Sequence, residues 1–267
     1  MKARLSEDGT KLVTTYELSP FNFDRRGVLK PWTLSQLIAY SGPEQSDVFY
    51  IPGHLETVAS FLRYQEFYLH PELYTHVKFN SAVQVASGVG YVGKTSWICK
   101  GDVRLATTQG VLCHFNLQLV NVDMSTRQPT DLPQNLRRKG EGPRPTFSLS
   151  MPSSQQAMYS HTFRVEDNDV DANDHTRQSA FIRLCYDTAA FGTKAGRYKS
   201  LSGDVLIYPV KKIAMLFQKE AFLGDMLVVQ SWELPSKPAS LLFQVKRGED
   251  DIVRCLFQLY EQDRAKL

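Results

Sequence analysis

The glycines around Lys94 have the spacing of a phosphate-binding motif. Gly88, Gly93, Lys94 and Thr95 fit the pattern G-x-x-x-x-G-K-[ST], in which backbone N–H groups and a lysine hold nucleotide phosphates. Such a loop needs a strand before it and a helix that begins at the Lys-Thr pair. Residues 96–124 instead carry two glycines and many β-branched side chains in alternation, which predicts strand, turn and strand. We therefore interpret the motif as a turn that enters a strand, and a nucleotide site is the less favoured alternative.

Other residues that could bind a metal lack the spacing of a metal site. The acidic run Glu166–Asp174 resembles a calcium loop, but it has neither the central glycine nor the closing glutamate of one. The four cysteines form no C-x-x-C pair, which favours a reducing compartment over a zinc site or a disulfide framework. His114 lies in an alternating segment, where a structural role is the simpler interpretation. We expect neither a metal nor a cofactor.

Composition limits the class of protein. The chain has 267 residues, of which 42% are hydrophobic and 22% charged, as is typical of one large or two ordinary globular domains. The net charge is only +3 and both signs are mixed along the chain, so no nucleic-acid face is expected. No apolar run approaches the ~20 residues of a membrane span. Residues 1–12 turn acidic at once, so we expect no secretory signal or transit peptide.

The chain repeats itself, and the repeat indicates which elements must position a site. Residues 16–38 align with residues 163–185 without a gap, so that Asp24 falls on Asp171. Each copy begins with a short alternating strand and continues through a polar loop that ends in an apolar residue and an Asp. An amphipathic helix follows, and Phe181, Leu184, Cys185 and Thr188 of the second copy lie at i, i+3, i+4 and i+7 on one helical face.

Strand-rich segments follow the helix of each copy. We expect an extra helix over 53–70 in the first copy, and matching turns at Gly101-Asp102 and Gly224-Asp225. The predicted strand segments are 76–86, 91–100, 102–108 and 111–124 in the first copy and 205–219, 225–234, 239–247 and 251–261 in the second.

These elements predict two α+β units, each with one long helix wrapped by a curved antiparallel sheet. The first unit is expected to cover 1–130 and the second 158–267. Residues 131–157 are rich in Pro, Ser and charge, which is typical of a linker.

Three segments resemble one protein family. "DVDANDHTRQSAFIRLCYDTA" is similar to the D-x-N-x-H motif and following helix of the plant and bacterial acyl-carrier-protein thioesterases and their acyl-CoA relatives. "MLFQKEAFLGDML" resembles a later strand of that family, in which a glutamate precedes a Gly-Asp turn. The segment from "YVGKTSWICKGD" onward looks like a hotdog meander. The resemblance implies a double hotdog, an α+β fold of two curved antiparallel sheets that each wrap a long helix.

The resemblance also implies a hydrolytic site in the second half. Asp171, Asn173 and His175 fall on the three motif positions, and Glu220 falls on the glutamate. Glu220 is then the first choice for general base or nucleophile, with Asp171 the second choice and more suited to orienting its neighbours. Asn173 would bind the thioester carbonyl or the water, and His175 would relay a proton or contact the leaving sulfur. Ala221 stands where the family often has Cys, which excludes a cysteine nucleophile there.

The two halves differ at these positions. Val28 stands where the second copy has His175, and the match of the Gly-Asp turns would place Trp97 opposite Glu220. One site per chain is therefore expected, with the first half shaping an acyl pocket. The chain has Thr-Arg-Gln where the family usually has Val-Asn-Asn after its His. The expected pocket and substrate-binding residues are Phe21, Phe23, Trp32, Thr176 and Arg177.

Three functions stay open at this point. The favoured one is hydrolysis of acyl-CoA, or related acyl, thioesters to free acid and thiol. The second is an enoyl-CoA hydratase of the hotdog type, although that family places Asp and His five residues apart and Asp171 and His175 are four apart. The third is an acyl-CoA or lipid-binding protein without catalysis, in which Asp171 and Asn173 only form a turn and cap a helix. The chain would act as a monomer or a homodimer.

The last residues predict a location. Ala265-Lys266-Leu267 is a variant of the S-K-L address that the peroxisomal import receptor reads, and Arg264 adds a preceding positive charge. A peroxisomal enzyme would take its acyl groups from coenzyme A. The alternative is a cytoplasmic protein in which these residues are the basic end of the last strand.

Overall fold

The structure is a computed structural model that describes residues 2–6, 10–41, 58–132, 146–152, 156–171, 174–234, 237 and 239–260. Its helices are α1 (Pro31–Ala39), α2 (Glu72–His76) and α3 (Gln178–Lys194). Its strands are β1 (Lys2–Leu5), β2 (Leu12–Glu17), β3 (Val58–Leu69), β4 (Ala82–Val92), β5 (Ser96–Leu105), β6 (Val111–Asp123), β7 (Gln128–Pro129), β8 (Tyr159–Arg164), β9 (Val210–Phe217), β10 (Met226–Glu233), β11 (Ser240–Arg247) and β12 (Asp250–Leu259). None of the helices in these described ranges is long and apolar enough to cross a membrane.

The chain divides into two compact units. The first comprises Met1–Lys30 and Gln36–Phe147, and the second comprises Pro31–Ser35 and Ser148–Leu267. Some predicted features lie wholly or partly outside the described residues: Asn173, the C-terminal tripeptide, positions 53–57 of the predicted extra helix, and positions 133–145 and 153–155 of the linker.

Both units have the same sheet topology. The strand order of the first is β1-β2-β4-β5-β6-β3, with β7 beside β6, and that of the second is β8-β10-β11-β12-β9. All of these pairings are antiparallel. Without β1 and β7, each unit has five strands. When these are numbered 1 to 5 along the chain, their order across the sheet is 1-3-4-5-2 in both units. In each unit the last three strands are neighbours in the sheet in chain order, and the second strand lies at the far edge from the first.

The internal repeat is confirmed by the boundaries of its elements. Strand β2 superposes in sequence on β8, and helices α1 and α3 begin at the equivalent positions of the ungapped alignment. A short 3₁₀ turn follows the strand in each copy, over Pro20–Asn22 and Asp167–Asp169. The same order of strand, turn and helix is therefore built twice from sequences that share few residues.

Helix α3 forms the core of the second unit. Its predicted inward face is confirmed, because Phe181, Leu184, Cys185 and Thr188 are all buried. The hydroxyl of Thr188 is satisfied within the helix by donating to the carbonyl of Leu184 at 2.8 Å. Each fully buried Leu or Phe contributes about 1.5–3 kcal/mol, so this face supplies much of the unit's stability.

The predicted helix over 53–70 is wrong for the residues from 58 onward. Val58–Leu69 is strand β3, which pairs along its length with β6. The apolar residues of this segment also fit a helical period, but β6 offers partners for its whole backbone and many of its residues are aromatic or β-branched. Strand formation depends on such neighbours more than on local sequence, so the sheet decides the outcome.

The predicted turn at Gly101-Asp102 is also wrong, because both residues lie inside strand β5. Gly101 is needed there for close packing: a Cβ atom at this position would overlap the Ala86 carbonyl oxygen and approach Phe115 Cζ within 2.6 Å. The prediction of a turn at Gly224-Asp225 is confirmed, since Gly224 has a φ of 86° just before β10. Glycine marks a tight turn in one case and a close contact between strands in the other.

Candidate active site

The loop between β8 and α3 folds into a tight turn that presents His175. The backbone N–H of Asp171 donates to the His175 carbonyl at 2.9 Å, and its carboxylate accepts the N–H of His175 at 3.1 Å. Asp174 lies in the left-handed region with a φ of 60° and donates its N–H to the Asp171 carbonyl. Two hydrogen bonds to Asp171 therefore hold the backbone of His175, and a third holds Asp174 beside it.

The first unit contains the same turn without the same side chains. The backbone N–H of Asp24 donates to the Val28 carbonyl at 2.8 Å, and its carboxylate accepts the N–H of Val28 at 3.0 Å. Gly27, with a φ of 75°, occupies the place of Asp174. Because the aspartate makes this contact in both units, its carboxylate builds the turn whether or not a histidine is present. Asp171 therefore fixes the position of His175, as an orienting residue would.

The segment after β9 brings Glu220 to the same place. Thr176 donates both its backbone N–H and its hydroxyl to the carbonyl of Ala221, at 2.8 and 2.9 Å. Thr176 directly follows His175 and Ala221 directly follows Glu220, so this double hydrogen bond draws the two loops together beside those residues. As a result, Nε2 of His175 lies 3.6 Å from Oε1 of Glu220. Their side chains are 19% and 40% exposed, so solvent reaches both.

Phe222 packs against His175, and hydrogen bonds hold its backbone in place. The ring of Phe222 meets the His175 ring edge-on, with centroids 5.3 Å apart. The backbone N–H of Phe222 is accepted by the Asp225 carboxylate at 2.9 Å, and Arg247 pairs with the same carboxylate at 2.6 Å. A histidine and a carboxylate thus lie beside a partly exposed phenylalanine ring.

Helix α3 begins beside the turn. Its N-cap residue Arg177 has no side-chain cap, and its backbone N–H donates to the Asp169 carbonyl at 2.8 Å. The buried Asp169 carboxylate is paired with Arg183 at 2.6 Å. Arg183 also reaches Asp187 at 3.2 Å, and burial raises the pKa of that carboxyl although Arg183 opposes the shift. The positive end of the helix dipole and its first N–H groups are therefore held in a fixed direction.

The other predicted site residues have separate surroundings. The Thr176 hydroxyl is engaged by the Ala221 carbonyl, so it anchors the loop. The Trp32 ring lies 5.7 Å from that of Tyr186, and both belong to the second unit. Phe23 is buried in the first unit, whereas Phe21 is 88% exposed and lines no buried pocket. Asn173 lies outside the described residues.

The sequence alignment misplaced the counterpart of Glu220. The turn before β10 matches the turn before β4: Leu18 donates to Ser81 and Val165 to Asp225, both at 2.9 Å. The side chains of Ser81 and Asp225 also accept equivalent backbone N–H groups at 2.9 Å. Counted back from these turns, Glu220 corresponds to His76 at the end of α2. The expected pairing with Trp97 is wrong, because Trp97 is a buried residue of β5.

No protein-family model matches the sequence, and no curated protein matches it. Solved structures match it closely in shape. A Lactobacillus plantarum protein classed as an oleoyl thioesterase is 14% identical, with a TM-score of 0.77 over 94% of this chain and 96% of its own. An acyl-ACP thioesterase from Bacteroides thetaiotaomicron is 16% identical, with a TM-score of 0.75 over 96% and 100%. A MaoC-like dehydratase from Phytophthora capsici is 11% identical, with a TM-score of 0.56 over 95% and 96%.

At these identities the comparisons establish the fold. The chain is a double hotdog protein, as the sequence predicted, and both thioesterases superpose on it more closely than the dehydratase does. The repeated topology of the two units accounts for this fold without a contribution from any single motif.

The glycine-rich motif of the first unit is a hairpin turn between β4 and β5. Gly93 donates to the Ser96 carbonyl at 2.7 Å, and β5 begins at Ser96, where a phosphate loop would have its helix. Lys94 is exposed and lies 3.7 Å from Asp131. This geometry does not form the backbone cradle of a phosphate loop.

Replacing Lys94 with Ala should therefore leave the activity of the candidate site within a few-fold of the wild-type rate. Calorimetric titration of the unmodified chain with ATP should show no binding. Tight ATP binding that Lys94→Ala abolishes would instead restore the nucleotide interpretation.

Proposed function

We propose that the protein hydrolyses acyl thioesters to a free acid and a thiol, with acyl-CoA as its substrate class. The observation that carries this proposal is the contact between His175 and Glu220. Two separate loops bring Nε2 of His175 within 3.6 Å of Oε1 of Glu220, and both side chains are accessible to solvent. The likeness in fold to two thioesterases supports the same reaction class.

The reaction requires a general base, hydrogen-bond donors for the oxyanion and a group that transfers the proton to the leaving sulfur. Glu220 accepts a proton from water as the water oxygen bonds to the thioester carbon. The developing oxyanion is stabilised by N–H groups at the start of α3 and by the amide of Asn173. When the oxyanion collapses, the carbon–sulfur bond breaks and the thiolate takes up the proton. His175 lies close enough to Glu220 to carry that proton to the sulfur.

Release of thiol from a panel of acyl-CoA substrates tests this function directly. The panel should span short to long chains, with hydration of crotonyl-CoA measured on the same preparation. Thiol release at a rate that saturates with substrate supports the proposal. Hydration without thiol release would indicate the hydratase alternative, and binding of acyl-CoA without either reaction would indicate a lipid-binding protein.

The carrier of the acyl group can be tested with the same readout. The structurally similar Bacteroides thetaiotaomicron protein is named for acyl-ACP, and we propose coenzyme A for this chain because of its C-terminal tripeptide. The same acyl group should be offered on coenzyme A and on acyl carrier protein. A higher kcat/KM on the carrier protein would contradict the assignment of coenzyme A.

We also propose that Ala265-Lys266-Leu267, where it forms the carboxyl terminus, directs the protein to peroxisomes through the import receptor. A fluorescent protein fused to the N-terminus should appear in peroxisomes of a eukaryotic cell, and deletion of Leu267 should make it diffuse. A diffuse signal in both cases would contradict the location and leave cytoplasmic action as the alternative.

A further inference from the structure

The first unit exposes two large aromatic side chains beside the turn that corresponds to the candidate site. Phe21 is 88% exposed and Phe79 is 53% exposed. The Phe79 ring meets the buried Phe23 ring edge-on at 4.7 Å, so the loop after β2 and the turn before β4 lie side by side. Scattered single apolar residues are ordinary on protein surfaces, whereas two phenylalanines on adjoining loops form a patch.

Basic side chains belong to the same two loops as these phenylalanines. Arg25, Arg26 and Lys78 are exposed, and Lys30 donates from Nζ to the Phe21 carbonyl at 2.9 Å. We call these four cations, together with Phe21 and Phe79, the aromatic-basic tip. The acid within its loop is Asp24, whose carboxylate is directed inward and accepts the N–H groups of Arg26 and Val28. Glu17 and Glu72 are exposed acids on the adjoining β2 and α2. The tip itself carries net positive charge.

The internal repeat indicates that the fold does not require this composition. The second unit has the same 3₁₀ turn, aspartate turn and strand entry, formed by equivalent hydrogen bonds. At the position of Lys30 the second unit also has a base, Arg177, and Leu223 in place of Phe79 is likewise exposed. In place of Phe21, Arg25, Arg26 and Lys78 it has Asn168, Ala172, Asn173 and Phe222. The cations Arg25, Arg26 and Lys78 and the highly exposed ring of Phe21 therefore call for an explanation outside the folding of the loop.

We propose that the aromatic-basic tip docks on a membrane surface that contains anionic phospholipid. Exposed aromatic rings insert at the level of the lipid headgroups, and Lys and Arg beside them are attracted to the negative surface potential. A patch with only two rings and four cations gives weak, reversible binding rather than a permanent anchor. This inference does not depend on the hydrolytic activity, because it uses none of the residues of the candidate site.

Sedimentation of the full chain with lipid vesicles tests the proposal. The vesicles would contain phosphatidylcholine alone, or equal parts of phosphatidylcholine and phosphatidylglycerol. We expect binding to the mixed vesicles that weakens as salt is raised, and little binding to the neutral ones. The double variant Arg25→Ser/Arg26→Ser should reduce partitioning roughly 30-fold, the effect of removing two such charges. Phe21→Ser/Phe79→Ser should reduce it by a similar factor without changing the charge.

The second unit supplies a matched control. Phe191→Ser/Lys194→Ser removes an exposed phenylalanine and an exposed lysine from α3 and should leave vesicle binding unchanged. Circular dichroism and the thermal unfolding midpoint would confirm that each variant is folded. Equal binding to neutral vesicles, or undiminished binding by both tip variants, would overturn the proposal. So would an absence of vesicle binding combined with retention on an immobilised acidic protein, since the partner would then be a protein.

Discussion

Replacement of Glu220 by Ala is expected to lower kcat for thioester hydrolysis by about 100-fold or more, the usual scale for loss of a general base. The side chain is partly exposed in the loop after β9, and one of its contacts is with His175. Removing it should therefore leave the fold intact. Circular dichroism and the denaturation midpoint should match those of the wild type, while the initial rate of thiol release falls.

Two variants sharpen this experiment. Glu220→Gln keeps the size of the side chain but cannot take up a proton, so it should be nearly as inactive as Glu220→Ala. His76→Ala changes the residue at the equivalent position of the first unit and should retain full activity. If His76→Ala and Glu220→Ala have equal effects on turnover, the assignment of the site to the second unit is wrong.

A double-mutant cycle tests whether the two side chains act together. His175→Ala alone should also reduce kcat, and the double variant His175→Ala/Glu220→Ala should be little worse than the more damaged single variant. Residues that act as one unit show such non-additive losses. Fully additive losses would indicate that the two residues contribute separately, in spite of the 3.6 Å between them.

The repeat was the most informative signal in the sequence. An ungapped alignment over residues 16–38 and 163–185 predicted the strand, the turn and the start of the helix in both units, because these elements follow one another within a short stretch of chain. Local contacts of this kind depend on local sequence. Asp24 and Asp171 make equivalent hydrogen bonds, so the aspartate that both copies share has a structural role in the turn.

The sequence was less informative about contacts between distant segments. Strand β3 has its partner in β6, and the aromatic residues within 58–69 are a weaker signal for a strand than this distant pairing is. The pairing of His175 with Glu220 likewise depends on the Ala221 carbonyl, a main-chain group whose partner no side-chain pattern reveals. Glu220 was selected by family resemblance, and its counterpart in the first unit was misplaced because Gly101-Asp102 was interpreted as a turn.

Gly101 should be among the residues least tolerant of substitution, and Gly101→Ala is expected to destabilise the first unit by about 3 kcal/mol or more. The added Cβ atom would overlap the carbonyl oxygen of Ala86, a backbone atom of the adjoining strand β4, and would lie 2.6 Å from Cζ of the buried Phe115. Neither neighbour can move without disturbing the sheet, and overpacking against backbone exceeds the usual cost of about 1–3 kcal/mol in a side-chain core.

Gly90→Ala is the matched control, because Gly90 also lies in a strand of the same sheet. Its added Cβ would meet Lys100 Cδ at 3.3 Å and Ile98 side-chain atoms at 3.5 Å, and the lysine is flexible. A change within about 1 kcal/mol is therefore expected, since alanine is also favoured over glycine in a strand by about 0.5–1 kcal/mol. Urea denaturation followed by fluorescence would compare the two variants. If Gly101→Ala unfolds at the same urea concentration as Gly90→Ala, β4 and β5 do not approach as closely at this position as the structure indicates.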